Sequence, residues 1–94
     1  MATYNADNAV HARLVATVVD TVTLNYVAGE IIVYNRSGVS DLFFRVDGVN
    51  PVISGNNSHI VPVNSVRHIG PANPDAIEVR LVSAGIPYYS VEIF

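Results

Sequence analysis

A chain of 94 residues has room for one domain and none for a second core. Half of the residues are hydrophobic, 17 are Val and 8 are Ile, and there is no Cys, Trp or Lys. The net charge is −3, and Arg13, Arg36, Arg45, Arg67 and Arg80 lie far apart in the sequence. No basic cluster is available to track phosphates, which argues against nucleic-acid binding. The absence of Cys excludes a disulfide scaffold, a Cys-ligated zinc site and thiol chemistry. So much apolar material in so short a chain predicts that some of it reaches the surface, where contiguous patches mark partners.

Residues 1–11 are rich in Ala, Asn and Asp and read as a flexible polar arm, left mobile or ordered by a neighbour. They lack the charged and apolar regions of a secretory signal, and no apolar run reaches the length of a membrane span. Arg13–Val19, with Thr17, Val18 and Val19, reads as the first strand. Thr21–Tyr26 alternates, with Val22, Leu24 and Tyr26 on one face. Glu30–Asn35 is apolar on both faces and is expected to be central. Asp41–Asp47 follows a Gly-containing loop, so the two runs suggest an antiparallel hairpin with Leu42, Phe44 and Val46 inward. Asp47-Gly48 closes that run with turn residues.

The middle of the chain is irregular. Ser54–Ser58 reads as a loop, and His59–Val63 as a strand that Pro62 confines to an edge or a bulge. Val66–Ile69 follows. Gly70–Pro74 holds two prolines and is excluded from a strand interior. Ala76–Val82 alternates with Ile77, Val79 and Leu81 inward. Tyr88–Phe94 is expected to complete a C-terminal hairpin with it, placing Tyr89, Val91 and Ile93 opposite Tyr88, Ser90, Glu92 and Phe94. The fold expected is all-β: an antiparallel β-sandwich or jelly-roll-like barrel of about eight short strands without a substantial helix, formed by residues 12–94 as a single domain.

Little in the chain points to catalysis. His11, His59 and His68 fit no metal-ligand spacing. Ser58, His59 and Asp47 form a triad only on paper, with no nucleophile elbow or oxyanion loop. Glu78 and Glu92 are placed on outward faces without a cleft between them. Asp47, Asn50, Asn56 and Asn57 read as turn residues rather than calcium ligands. Asn35-Arg36-Ser37 and Asn56-Asn57-Ser58 match the glycosylation pattern by coincidence. No cofactor, metal or catalytic residue is assigned. The candidate interface residues are Tyr4, Pro62, Tyr88, Tyr89 and Phe94, because exposed aromatics mark a protein interface or a sugar-stacking platform. Strand edges are commonly guarded by Lys, and a chain without Lys is expected to cover an edge or face with another subunit.

Three segments carry a resemblance. Val33-x-Asn35-Arg36 is followed by Phe44-x-Val46-Asp47-Gly48-x-x-Pro51, and later by Leu81-x-Ser83-Ala84-Gly85-x-x-x-Tyr89-x-Val91. Together, over residues 22–94, they resemble the small all-β virion proteins of tailed bacteriophages, of the capsid decoration (cement) type. The resemblance implies a structural role without catalytic residues. Such a protein binds the major capsid protein on the outside of the capsid and associates with itself, most often as a trimer, with no nucleic-acid or membrane partner. It would be made in the host bacterial cytoplasm and end on the virion surface. The arm at residues 1–11 would contact the capsid or a neighbouring subunit. The alternative is a receptor- or carbohydrate-binding β-sandwich of a phage tail or baseplate, using Tyr88, Tyr89 or loop Asn residues.

Overall fold

The computed structural model describes residues 1–70 and 77–94. Nine strands run in chain order: β1 (Thr3–Ala6), β2 (Ala9–Arg13), β3 (Asp20–Leu24), β4 (Ile31–Asn35), β5 (Leu42–Arg45), β6 (His59–Val61), β7 (Val66–Ile69), β8 (Glu78–Val82) and β9 (Tyr88–Ile93). They form a five-stranded sheet of order β1-β3-β8-β5-β6 and a four-stranded sheet of order β2-β9-β4-β7. Among the described residues there is no helix.

From β2 onward the chain changes sheet at every connection except β5–β6. That alternation, with the two sheets face to face, is the double Greek key of a jelly roll. β1 adds a parallel partner to β3, with Thr3 beside Thr21 and Ala6 beside Leu24. All other pairings are antiparallel.

Alternation along the strands builds the core. Val22, Leu24, Val79, Leu81, Leu42, Phe44 and Val61 from the first sheet meet Ile31, Val33, Tyr89, Val91 and Ile93 from the second, all of them buried. Val46 packs partly buried against this cluster. No buried side-chain nitrogen or oxygen among the described residues lacks a hydrogen-bond partner, as a tightly packed interior requires.

Several expectations are corrected here. Residues 1–11 are not a flexible arm: β1 and most of β2 lie within them, with Ala6 buried and Tyr4, Val10 and Ala12 packed on the core. Their backbone groups are satisfied by the ladders to β3 and β9, which need few apolar side chains. Arg13–Val19 is not a strand. β2 ends at Arg13, and Thr17 sits at φ 62°, unusual for a β-branched residue. It is held there as its N–H donates to Ser83 O (2.8 Å), while Val18 N donates to Val15 O (3.1 Å).

Neither expected hairpin forms, because β4 and β5, like β8 and β9, lie in different sheets. Tyr26 and Ile77 are exposed rather than inward. Of the expected proline-rich break and the strand beginning at Ala76, residues 71–76 lie outside the described residues.

Candidate functional site

The topology gathers the connections at two ends. One end holds residues 14–19, 36–41, 62–65 and 83–87, which join β2–β3, β4–β5, β6–β7 and β8–β9. The other holds the β1–β2 corner, residues 25–30, residues 46–58, the start of β8 and Phe94.

The first end is knitted by buried polar groups. Asp20 is buried at the start of β3, and its Oδ2 accepts from the Tyr89 hydroxyl (3.0 Å). Burial and the Asp20 carboxylate push the Tyr89 pKa well above its ordinary value. Ala2 N donates to Asp20 Oδ1 (3.3 Å). Asn35 is buried, and its Nδ2 donates to Ser40 O (2.8 Å) and Val61 O (3.1 Å), bridging the two sheets. Ser83 Oγ donates to Asp41 O (2.6 Å) and accepts from Gly85 N (3.2 Å). A Cβ on Gly85 would overlap the Ser40 hydroxyl, so glycine lets the two loops close against each other.

On this base, Arg13 at the end of β2 and Arg36 just past β4 flank Tyr88 at the start of β9. Their guanidinium carbons lie 4.9 Å and 5.7 Å from the ring centroid, within cation–π range. Arg13 Nε donates to Ile86 O (3.0 Å) and Arg36 Nη2 to Tyr89 O (3.4 Å). Among the described residues neither arginine has a carboxylate partner. Beside them a shallow cleft of about 320 Å³ is lined by Arg13, Val39, Ser40, Ile86 and Tyr88. Val15, Val39, Val63 and Ile86 are exposed around it, Val39 at 88%.

More of the carboxylates lie toward the opposite end, Asp20 and Asp41 being at the first. Asp7 accepts from Asn25 Nδ2 (2.6 Å), and Glu30 lies 3.7 Å from His68. Glu92 stands opposite Ile32 near the end of β9 and pushes the pKa of the neighbouring Tyr34 upward. On the outer face of the first sheet Arg45 is opposite Arg80. These like charges are offset by Asp47, which pairs with Arg45, and by Glu78, 2.9 Å from Arg80 Nε. Arg80 Nη1 also reaches Asn50 Oδ1 (2.7 Å), drawing the 46–58 loop over that face. The Arg45 guanidinium holds the Asp47 carboxyl down to about 2. Tyr26, Val27, Val49, Val52, Ile77 and Phe94 are exposed at this end.

The structure does not bring the five candidate interface residues together. Tyr89 is excluded: it is fully buried, and its hydroxyl is used by Asp20. Tyr4 is partly buried on the edge of the core. Pro62 is exposed in the β6–β7 corner. Tyr88 is half exposed, with both arginines within cation–π range of its ring. Phe94 is exposed at the other end, its carbonyl accepting from Gly29 N and Glu30 N.

The paper triad is not assembled. His59 stacks on Phe44 (centroids 5.0 Å apart), Ser58 Oγ accepts from Val52 N, and Asp47 is engaged by Arg45. His11 Nδ1 lies 2.7 Å from Ser90 Oγ on a flat strand pair whose backbone N–H groups belong to the ladder, so no oxyanion donors accompany it. Asn35 of the glycosylation match is buried and fully engaged.

Three of the four sheet edges are better guarded than the missing lysines suggested, while edge strand β1 carries no charged residue. β6 has three residues, β2 carries His11 and Arg13, and β7 carries Arg67 and His68, all devices that discourage edge pairing. The exposed apolar side chains lie mostly in the loops. Sequence reading passed over Arg13 and Arg36, which are distant in the chain. Asp20, Asn35 and Ser83 gave only the signal of polar residues among strand formers.

No protein-family model and no curated protein sequence matches the chain. Among solved structures it is similar to a mutant of PliG from Escherichia coli, a periplasmic inhibitor of g-type lysozyme, at 13% identity over 99% of this chain and 98% of that one, with a TM-score of 0.45. Salmonella Typhimurium PliG gives 12% identity, 98% of each chain and 0.46. The Anabaena sensory rhodopsin transducer gives 13%, 83% of this chain, 95% of that one and 0.36. The first two are inhibitor proteins rather than enzymes. Likeness this remote says nothing of what the present chain binds.

Proposed function

We propose that this protein is a non-catalytic structural component of a phage virion, a decoration protein that docks on the outer surface of the capsid and reinforces it. One observation carries the reading: the exposed apolar side chains gather in loops at the ends of a tightly packed jelly roll. Such patches mark protein interfaces. The virion-type segments support it as well, because Asn35, Ser83, Gly85 and Tyr89 within them build one of those ends. Jelly rolls serve viral capsids and lectins alike, so the fold by itself favours neither.

The partners in this reading are the major capsid protein and further copies of the chain, and its place is the capsid surface. The test mixes the purified protein with undecorated capsids. Co-sedimentation together with a rise in the temperature at which the capsids come apart supports decoration. A protein that stays in the supernatant and leaves that temperature unchanged rules it out. Binding on a glycan array would favour the tail-module alternative.

A further inference from the structure

We infer that copies of this chain associate head to tail, the end bearing Arg13 and Arg36 docking on the end bearing Asp7 and Glu30 of a second copy. The inference rests on the self-associating half of the proposed function and is independent of the capsid. Three observations lead to it.

The first is charge. Arg13 and Arg36 stand at one end with no carboxylate partner among the described residues. Asp7, Glu30, Asp47, Glu78 and Glu92 belong to the opposite end or the strand positions next to it. The basic end holds Asp20, buried and bonded by Tyr89, and Asp41, bonded by Val63 N and outside the cleft beside the arginines. Asp47 and Glu78 are already paired with Arg45 and Arg80. Asp7 and Glu30 are held only by an amide and a distant imidazole, which leaves them to answer the arginines.

The second is apolar surface. Val15, Val39, Ile86 and Tyr88 are exposed at the basic end, and Val27, Val52 and Ile77 at the acidic end. Each end thus offers an apolar centre beside a patch of charge, arginine at one and carboxylate at the other, the make-up of a specific interface.

The third is the orientation these features impose. Two arginine patches repel and so do two carboxylate patches, so opposed charge favours the head-to-tail pairing over the two-fold one. A head-to-tail contact is heterologous, and it closes into a ring or runs on as a filament according to the rotation between copies. In a closed ring the outer sheet faces stay free.

The experiment is a charge swap read by sedimentation equilibrium on the full chain. Wild-type protein should associate with increasing concentration in about 0.01 M salt and fall to monomer in about 1 M salt, where charges are screened within about 3 Å. Arg13→Glu/Arg36→Glu has two acidic ends and should be monomeric. Asp7→Arg/Glu30→Arg has two basic ends and should also be monomeric. Mixing the two variants should restore association. Circular dichroism checks folding, and if Arg13→Glu disturbs the loop it anchors at Ile86, the neutral pair Arg13→Gln/Arg36→Gln should still weaken association roughly tenfold.

A wild type that stays monomeric in low salt overturns the inference. So do folded variants that associate as well as wild type, or a mixture of folded monomers that does not recombine. Each of these results is obtained without capsids, so failure here and failure of capsid binding are separate outcomes.

Discussion

At the end that carries Arg13 and Arg36, Val15, Val39 and Ile86 stand in water; at the far end Val27, Val52 and Ile77 do the same beside Asp7 and Glu30. The two ends are alike in apolar content and differ in their charged patches, Arg13 and Arg36 at one and Asp7 and Glu30 at the other, although Asp20 and Asp41 also lie at the basic end. They also differ in how they are held. The basic end rests on buried polar groups, Asp20 with Tyr89 and Asn35 between the sheets. The acidic end is tied mainly by backbone bonds, with Phe94 N donating to Glu30 O and its carbonyl accepting from Gly29 and Glu30. Apolar loops alone would stick without orientation, and charge of opposite sign gives the contact a direction.

The comparison is broken most severely from the core that supports both ends. Phe44 is fully buried and stacks with His59, so Phe44→Ala should lower stability by about 3–5 kcal/mol, read from chemical denaturation. Tyr89→Phe tests the pin beneath the basic end alone. It removes the hydroxyl bonded to buried Asp20, and a loss of about 2 kcal/mol is expected, typical of a hydrogen bond to a carboxylate. A loss below about 0.5 kcal/mol would show that the basic end does not depend on this pin.

Two smaller effects follow pH. Burial lowers the His59 pKa, with Arg67 adding to the effect. The unfolded chain therefore takes up its proton first, near pH 6.5. Stability should decline as the pH falls below that value, and His59→Phe should flatten the decline. Asp47 is held down to about 2 by Arg45, against an unfolded value of about 3.9. Its contribution is complete above about pH 4 and fades as the pH falls toward 2. The pair is open to water, so the change is slight, and Asp47→Asn should remove it. Val39→Ser should leave stability within about 0.5 kcal/mol of wild type, because the side chain is exposed, while weakening association.

Much of the strand pattern is legible in the sequence because inward residues must alternate. Val22 and Leu24, Leu42 and Phe44, Val79 and Leu81, and Tyr89, Val91 and Ile93 all face inward as their spacing implies. Pro62 marks the end of edge strand β6, as its missing N–H requires. The sheet order is not legible. A Gly-containing loop between two strand runs looks the same whether it returns beside its neighbour or crosses to the facing sheet, and both expected hairpins cross.

The N-terminal strands escaped notice because β1 and β2 are held by backbone ladders and short side chains such as Ala6 and Ala12. Thr17, Val18 and Val19 misled in the other direction. Their strand preference yields to a turn anchored on Ser83, far along the chain. The patches at the ends were equally hidden, since Arg13 and Arg36, or Asp7 and Glu30, come to share an end only through the jelly-roll connections.

The most direct test of this polarity uses the absence of native Cys. Val39→Cys places one thiol at the basic end and Val27→Cys one at the acidic end. When the two variants are mixed in low salt and briefly oxidised, disulfide-linked dimers of unlike variants should dominate over either like pair. Predominant Val39→Cys pairs, or the same product ratio under denaturing conditions, would contradict head-to-tail assembly.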